Sequence, residues 1–527
     1  MSYGGLVASR RIDRGATAKQ QVSSTYTIQA PTGGLNAVDA LANMPETDAV
    51  VLNNWFPHNS YCDIRNGYSQ WSTGYGHWVE TLMEYESPSS EKLFAISNTS
   101  VYDATAGGAV GAAVVTGLTN ARWEYTNVGT PGGHFLYAGN GVDKPLYYDG
   151  SAWVKVDGAS TPAITGVTTT KLRSPVVWKN RLFWVEEGST RAWYLPTASI
   201  GGAASSIDFG MFFKAGGQLH VIMTASLTDG STFDDYILFM SSEGEILLYR
   251  GTDPATAGLF NLVGVYRVGQ PVGRRCWFKY GADTIIICSD GFVSLTKEIS
   301  IGRVNQGEDI SYKILFLVNN AIQMYKASFG WEGIIYPLGN KLIINVPVAE
   351  NVMQTQFVMN TINNAWCTFS GWNSATYCVV NDVLYFGGNG YVGKADDPNQ
   401  WSDNGSEIQA TMKTAFSYMG SRQQKFWKMA RPVISASARI NAKIGINVDF
   451  EDRPPTSQPT FSPGSGSPWN TSPWNTSPWG VDPTIQRQWQ TVSGVGFCAA
   501  LYVKAAGFDS QVQLMSTDFL LEQGGVL

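Results

Sequence analysis

Ile237-Leu238-Phe239-Met240-Ser241-Ser242-Glu243-Gly244-Glu245-Ile246-Leu247-Leu248-Tyr249 is a pair of apolar runs joined by a turn. Runs this short, separated by Ser242-Glu243-Gly244, predict two antiparallel strands of a hairpin. The same unit precedes it as Leu93-Phe94-Ala95-Ile96 with Val101-Tyr102, Phe135-Leu136-Tyr137-Ala138 with Leu146-Tyr147-Tyr148, and Leu182-Phe183-Trp184-Val185 with Ala192-Trp193-Tyr194-Leu195. It follows as Ile285-Ile286-Ile287 with Phe292-Val293-Ser294-Leu295, Leu342 to Val346 with Phe357-Val358-Met359, and Val383-Leu384-Tyr385-Phe386 with Tyr391-Val392.

Successive copies start 41 to 57 residues apart. That interval suits four short strands, the blade of a β-propeller. Each such sheet is aromatic-rich on both faces, and a radial stack of blades covers both faces of every sheet while leaving only short edges. Seven copies predict six to eight blades, seven preferred, over residues 81–400. A parallel solenoid is disfavoured by hairpin turns such as Asp290-Gly291, and no segment in this region sustains a 3.6-residue apolar period, so no helix is expected there.

Beyond Asp396-Asp397-Pro398 the pattern changes. Alternating runs at 408–412, 434–440, 444–448, 497–505 and 512–521 read as strands with one wet face, giving an all-β chain whose residues 401–527 form a C-terminal β-sandwich. A Pro/Trp-rich loop at 454–483 interrupts it, with Trp469, Trp474 and Trp479 in successive Ser-Pro-Trp repeats. Proline at this density excludes central strands. Exposed tryptophans suit insertion into grooves of a partner subunit, so these three are candidate partner contacts, with a disordered tip and a host-receptor contact as the alternative readings.

Upstream lies Pro31-Thr32-Gly33-Gly34-Leu35-Asn36, then Asp39, then Met44-Pro45-Glu46-Thr47-Asp48-Ala49-Val50-Val51-Leu52-Asn53-Asn54-Trp55-Phe56-Pro57, closing on Arg65-Asn66-Gly67-Tyr68. Gly33-Gly34 permits a positive-φ turn. Pro45, with Glu46 and Asp48 behind it, suits the start of a short helix that would carry Ala49, Leu52 and Trp55 on one face and end at Asn53-Asn54 and Pro57. Residues 28–80 thus read as a strap with the first strands, and residues 1–27 as a basic arm. Arg10, Arg11 and Arg14 in that arm are candidate partner contacts.

This segment resembles the start of tail nozzle proteins of short-tailed bacteriophages, the tail tubular B and packaged-DNA stabilisation class. The likeness covers residues 31–71 and is supported by the ending Ser516-Thr517-Asp518-Phe519-Leu520-Leu521-Glu522 with Gly524-Gly525-Val526-Leu527. It implies a structural virion protein of the tail, made and assembled in the host cytoplasm. The implied assembly is a homo-oligomer, a hexamer, below the tail adaptor ring, with tail fibre or tip proteins as further partners. Packaged double-stranded DNA would be retained by that ring and pass through its lumen without sequence-specific binding. The rival readings are a receptor-binding tail adhesin that grips a host surface glycan, and a propeller glycosidase.

Composition suits an all-β protein with many tight turns and large self-association surfaces. Charged residues are 15% of the chain, below the roughly 25% of average globular proteins, and the formal charge is −6, so nothing attracts DNA globally. The six cysteines show no metal-site spacing and read as buried free thiols of a protein made in a reducing compartment. The four histidines form no HxH or HExxH pattern. No catalytic residue, cofactor site or metal site is expected, and the chain is read as a non-enzyme. The carboxylates Asp234, Asp235, Glu243 and Glu245 read as solvated turn residues, since nothing singles out a glycosidase pair. The N-terminus lacks the apolar core of a secretion signal, and no run approaches the roughly 18 apolar residues of a membrane span. Three basic groups stand out: Lys171-Leu172-Arg173 with Lys179 and Arg181; Arg274-Arg275 with Lys279; and Arg422, Lys425, Lys428 and Arg431. They fit phosphates or an acidic neighbour, but the simpler expectation is solvated strand ends.

Overall fold

In the computed structural model the described residues are 23–228, 233–256, 258–301, 310–436, 441–455, 484–507 and 510–524. Arg10, Arg11 and Arg14, Trp469, Trp474 and Trp479, and nearly all of the Pro/Trp-rich loop lie outside them.

The chain is a β-propeller carrying a C-terminal β-sandwich. Each sequence repeat forms the second and third strands of one blade. Blade 2 is Glu124–Thr130, Gly133–Gly139, Leu146–Tyr148 and Trp153–Lys155, paired antiparallel in that order. Blade 3 is Leu172–Trp178, Arg181–Glu186, Arg191–Tyr194 and Ser205–Asp208; blade 4 is Leu219–Thr228, Phe233–Ser241, Glu245–Gly251 and Phe260–Arg267. Among the described residues blade 5 has three strands, Trp277–Tyr280, Asp283–Cys288 and Gly291–Ser294. Blade 6 is Glu332–Tyr336, Lys341–Ala349, Met353–Asn360 and Trp366–Ser370.

Closure falls to one 20-residue strand, Tyr68–Ser87. Its first part is the outer strand of blade 7, where Tyr68 opposes Ala395 and Trp78 opposes Asn389 beside Thr376–Val380, Val383–Gly387 and Asn389–Ala395. Its second part is the inner strand of blade 1, where Val79 opposes Ser97 and Ser87 opposes Ser90, followed by Ser100–Asp103. The first strands of successive blades pack in order around an axis, and Thr376–Val380 returns to Tyr68–Ser87, so the seven blades form a closed ring. Closing the ring with an N-terminal strand places residues 68–80 in the propeller rather than in the strap.

Three local expectations are corrected. Blade 5 shows no fourth strand among the described residues; helix α1 (Leu295–Ile301) follows its third strand, and helix α2 (Leu315–Tyr325) packs on blades 5 and 6. The α2 stripe, Val318 and Ile322 with Ile314 before it, is buried at i, i+4 spacing, a helical period masked by the surrounding Ile, Leu and Phe. Residues 48–53 form a strand, Asp48–Asn53, not the helix that Pro45 suggested. A bulge between Ala49 and Val51 and a left-handed Asn54, at φ 57°, each flip the strand's parity. Ala49, Leu52 and Trp55 therefore all face the core without helical geometry.

The strap is woven into the sandwich. One sheet orders Thr484–Gln486, Lys425–Ala436, Val512–Gln523, Cys62–Ile64 and Trp55–Pro57, with Ser23–Gln29 also paired to Val512–Gln523 from Ser23↔Glu522 to Gln29↔Ser516. The other continues from the outer strand of blade 6: Trp366–Ser370, Asp48–Asn53, Ile408–Thr414, Ala499–Gly507 and Asn441–Val448. One hydrophobic core accordingly runs from Leu342, Phe357 and Trp366 of the propeller through Leu52 and Trp55 to Trp427, Val503 and Phe519 of the sandwich. The six cysteines are free and buried.

Candidate functional site

Two constellations stand out: a clasp built by the strap motif and a charged network on the propeller axis.

At the clasp, Gly34-Leu35 pairs parallel with Asp48-Ala49, and Gly34 adopts φ 80° with its Cα against blade 6. A Cβ there would lie 2.7 Å from the backbone nitrogen and oxygen of Trp366. Gly33 is not in the left-handed region; its space is taken by Asp48, whose Oδ1 would stand 2.0 Å from a Cβ. Asn36 is buried and donates to Asp39 Oδ2 at 2.9 Å and Asp48 Oδ2 at 2.8 Å, while its Oδ1 accepts from the backbone N–H groups of Val38 and Asp39. Lys313, just before α2, neutralises Asp48 at 3.0 Å. Pro45 sits in a turn whose carbonyl accepts from Asp48 N, and the following Glu46 accepts from Tyr26 of the Ser23–Gln29 strand and from Ser417, which bridges to Ala499. Pro57 offers its carbonyl to Asn360 of blade 6 at 2.9 Å.

Arg65 is the centre. Its side chain is fully buried, bidentate to Asp403, bonded through Nε to Asn54 Oδ1 at 3.0 Å and through Nη2 to Ser370 O at 2.6 Å, and stacked 4.9 Å from the Trp372 ring. Gly67 allows the Ser402 carbonyl to approach; a Cβ would be 1.9 Å from that oxygen. Tyr68 packs edge-on to Phe386 at 5.1 Å and accepts from Tyr391 OH at 3.2 Å. Every residue singled out from the motif is thus engaged in joining strap, blades 6 and 7 and sandwich. Their side chains are taken up by these contacts, which position the strap against the propeller and the sandwich.

The sequence showed the basic members of the axial network, Arg173, Arg274 and Arg275, but not the acidic partners that meet them. The first strands of the blades begin at or beside Glu80, Glu124, Arg173, His220, Arg275 and Glu332, which gathers these side chains at one end of the ring axis. Arg275 donates to Thr81 Oγ1 at 2.6 Å, Trp123 O at 2.9 Å and Glu80 O at 3.1 Å, and pairs with Glu332 at 3.3 Å. Arg274 pairs with Glu187 at 3.3 Å and donates to Asn140 O. Arg173, 2% exposed in its side chain, pairs with the same Glu187 and donates to His220 O at 2.8 Å; burial lowers its pKa. Burial in turn raises the pKa of Glu124 against the pull of Arg173, Arg274 and Arg275. The expectation of solvated basic clusters fails at Arg173, Arg274 and Arg275 because each closes an ion pair inside the ring.

In the sandwich it fails at Lys425 alone, since Lys428 and Arg431 are ion-paired but stay partly exposed and Arg422 is exposed. Lys425 is buried and donates to the carbonyls of Gln423 and Phe497, burial lowering its pKa, while Lys428 pairs with Glu522 and Arg431 with Asp518 at 2.6 Å. Glu245 is also buried rather than solvated, accepting from Ala215 N at 2.8 Å. Among the described residues no group of three His, Cys, Asp or Glu could hold a metal, and no helix is long and apolar enough to cross a membrane.

No protein-family model matches the chain, and no curated protein matches it. Solved structures similar to it include a mercury-soaked BBS1N in complex with ARL6DN, at 11% identity over 64% of this chain and 99% of that one, TM-score 0.39. A glycoside hydrolase family 43 arabinoxylan arabinofuranohydrolase from Bacillus subtilis is similar at 10% identity over 89% and 94%, TM-score 0.24. An exo-beta-1,3-galactanase from Phanerochaete chrysosporium is similar at 11% identity over 74% and 95%, TM-score 0.23.

Proposed function

We propose that this chain is a structural subunit of a short-tailed bacteriophage tail nozzle, assembling into a homo-oligomeric ring, six copies by resemblance, beneath the adaptor. The observation that carries the reading is the coincidence of the nozzle-like motif, residues 31–71, with the clasp: the residues of the resemblance have scaffolding duties and no chemical one. In this reading the duplex path runs between copies, not through a single propeller. Each propeller's own axis is filled at one end by Arg274, Arg275, Glu124 and Glu332 around a cavity of about 180 Å³, whereas the major groove of B-DNA alone is about 12 Å wide. A head-to-tail contact repeated by rotation closes into such a ring. The acidic net charge favours passage over retention on the wall.

Sedimentation velocity on the purified chain, with negative-stain imaging of the fastest species, tests the reading. Closed rings with a central opening support it. A monomer or a trimeric spike at every concentration and after mixing with an adaptor ring counts against it.

A further inference from the structure

The axial cavity has features that the clasp and the ring do not explain. It is open on one side and is lined from six blades, by Thr81, Glu124, Tyr125, Ser174, Trp277 and Glu332 among others. Its volume is about 180 Å³. Glu332 is committed to Arg275 and to the Tyr377 N–H. Glu124 is not: its Oε2 is out of solvent and has no hydrogen-bond partner among the described residues. A carboxylate oxygen left so in a native fold calls for a donor.

The wall is also deformed at this point. A bulge between Arg173 and Val176 interrupts the pairing of Leu172–Trp178, and Ser174 within it takes φ 47°, a left-handed conformation costly for serine. The bulge turns Arg173 to Glu187 and His220 and leaves Ser174 and Pro175 on the cavity wall.

We propose that this cavity binds one neutral sugar ring, free or as the terminal residue of a glycan. The charges select against ions: in the lining the guanidiniums of Arg274 and Arg275 face the carboxylates of Glu124 and Glu332, so a cation meets the former and an anion the latter. A polyhydroxyl ring supplies hydroxyl donors to Glu124 and lays its C–H face on Tyr125 and Trp277, two half-buried residues of the lining. The site does not depend on ring assembly, and no bond is made or broken there.

Saturation-transfer NMR on the full chain with D-glucose, D-galactose, D-mannose and N-acetyl-D-glucosamine tests the proposal, with tetramethylammonium and sulfate as charged controls. At least one sugar binds the wild type, and Glu124→Ala and Trp277→Ala, checked for an unchanged melting profile, each weaken it about tenfold or more. Absence of sugar binding, binding of a charged control in its place, or sugar binding indifferent to both substitutions overturns it. Should either variant fail to fold, a sugar soak of wild-type crystals decides: density within hydrogen-bond reach of Glu124 supports the site, and density elsewhere or none overturns it.

Discussion

Arg65 meets Asp403 across 338 residues of chain through two parallel bonds, Nη1 to Oδ1 at 2.8 Å and Nη2 to Oδ2 at 2.6 Å. The pair joins the end of the strap to the segment that leads from blade 7 into the sandwich, and the Trp372 ring of the blade 6 to blade 7 connection covers it. Because the guanidinium is fully buried, its removal strands a carboxylate together with the Asn54 and Ser370 oxygens. Arg65→Ala is expected to destabilise the fold by about 3–5 kcal/mol in urea unfolding. Arg65→Lys recovers only part, since a point charge cannot fork to both oxygens. A loss below about 1 kcal/mol for the alanine variant contradicts the clasp.

Gly67 is required for space rather than for backbone freedom. Gly67→Ala places a methyl 1.9 Å from Ser402 O and must push the sandwich linker away, whereas Gly111→Ala meets nothing within 4 Å. The first is expected to lower the melting temperature by several degrees, from roughly 1–3 kcal/mol of overpacking, and the second to leave it within about a degree. Equal melting temperatures for the two variants refute the close approach.

Glu84, on the inner strand of blade 1, has its pKa raised from 4.5 to about 7 by burial, with Glu86 and Glu91 adding to it. The folded state therefore holds this proton more tightly than the unfolded chain. Its stabilising effect is complete below about 4.5 and is lost as pH rises through about 7. Glu84→Gln removes the dependence, so the variant gains stability relative to wild type between pH 5 and pH 8. Thermal melts of both across that range check the sign; a gap that stays constant with pH contradicts it.

All six cysteines are buried, and burial raises each thiol, Cys276 and Cys288 to about 12. Iodoacetamide at pH 8 is expected to label none of them in the native protein within minutes and all six in urea. Rapid native labelling of Cys62 or Cys367 would show that the strap opens.

The legible part of this fold was the repeat, because the second and third strands of each blade, such as Ile237–Met240 against Ile246–Tyr249, are buried on both faces and read as unbroken apolar runs. The first strands did not show, because they line the axis and carry Glu124, Arg173 and Glu332 where an apolar pattern was sought. Arg274 and Arg275 were visible as a basic pair, but their acidic partner Glu187 and Glu332 come from other blades, which only ring closure brings near. The strap misled for a different reason: a bulge and a left-handed asparagine reproduce in a strand the three-residue spacing of Ala49, Leu52 and Trp55 that a helix would give. Glycines 33, 34 and 67 were readable as constrained, though two of the three serve close approach rather than a positive φ.

The measurement that bears most directly on the account is electron cryomicroscopy of the purified chain at the concentration where it self-associates. The account predicts a closed ring of copies around an opening wide enough for a DNA duplex, with each seven-bladed propeller filled at one end of its own axis by the Arg274 and Arg275 network. A particle in which no opening lies between copies, or in which the chain stays a lone propeller and sandwich, contradicts it.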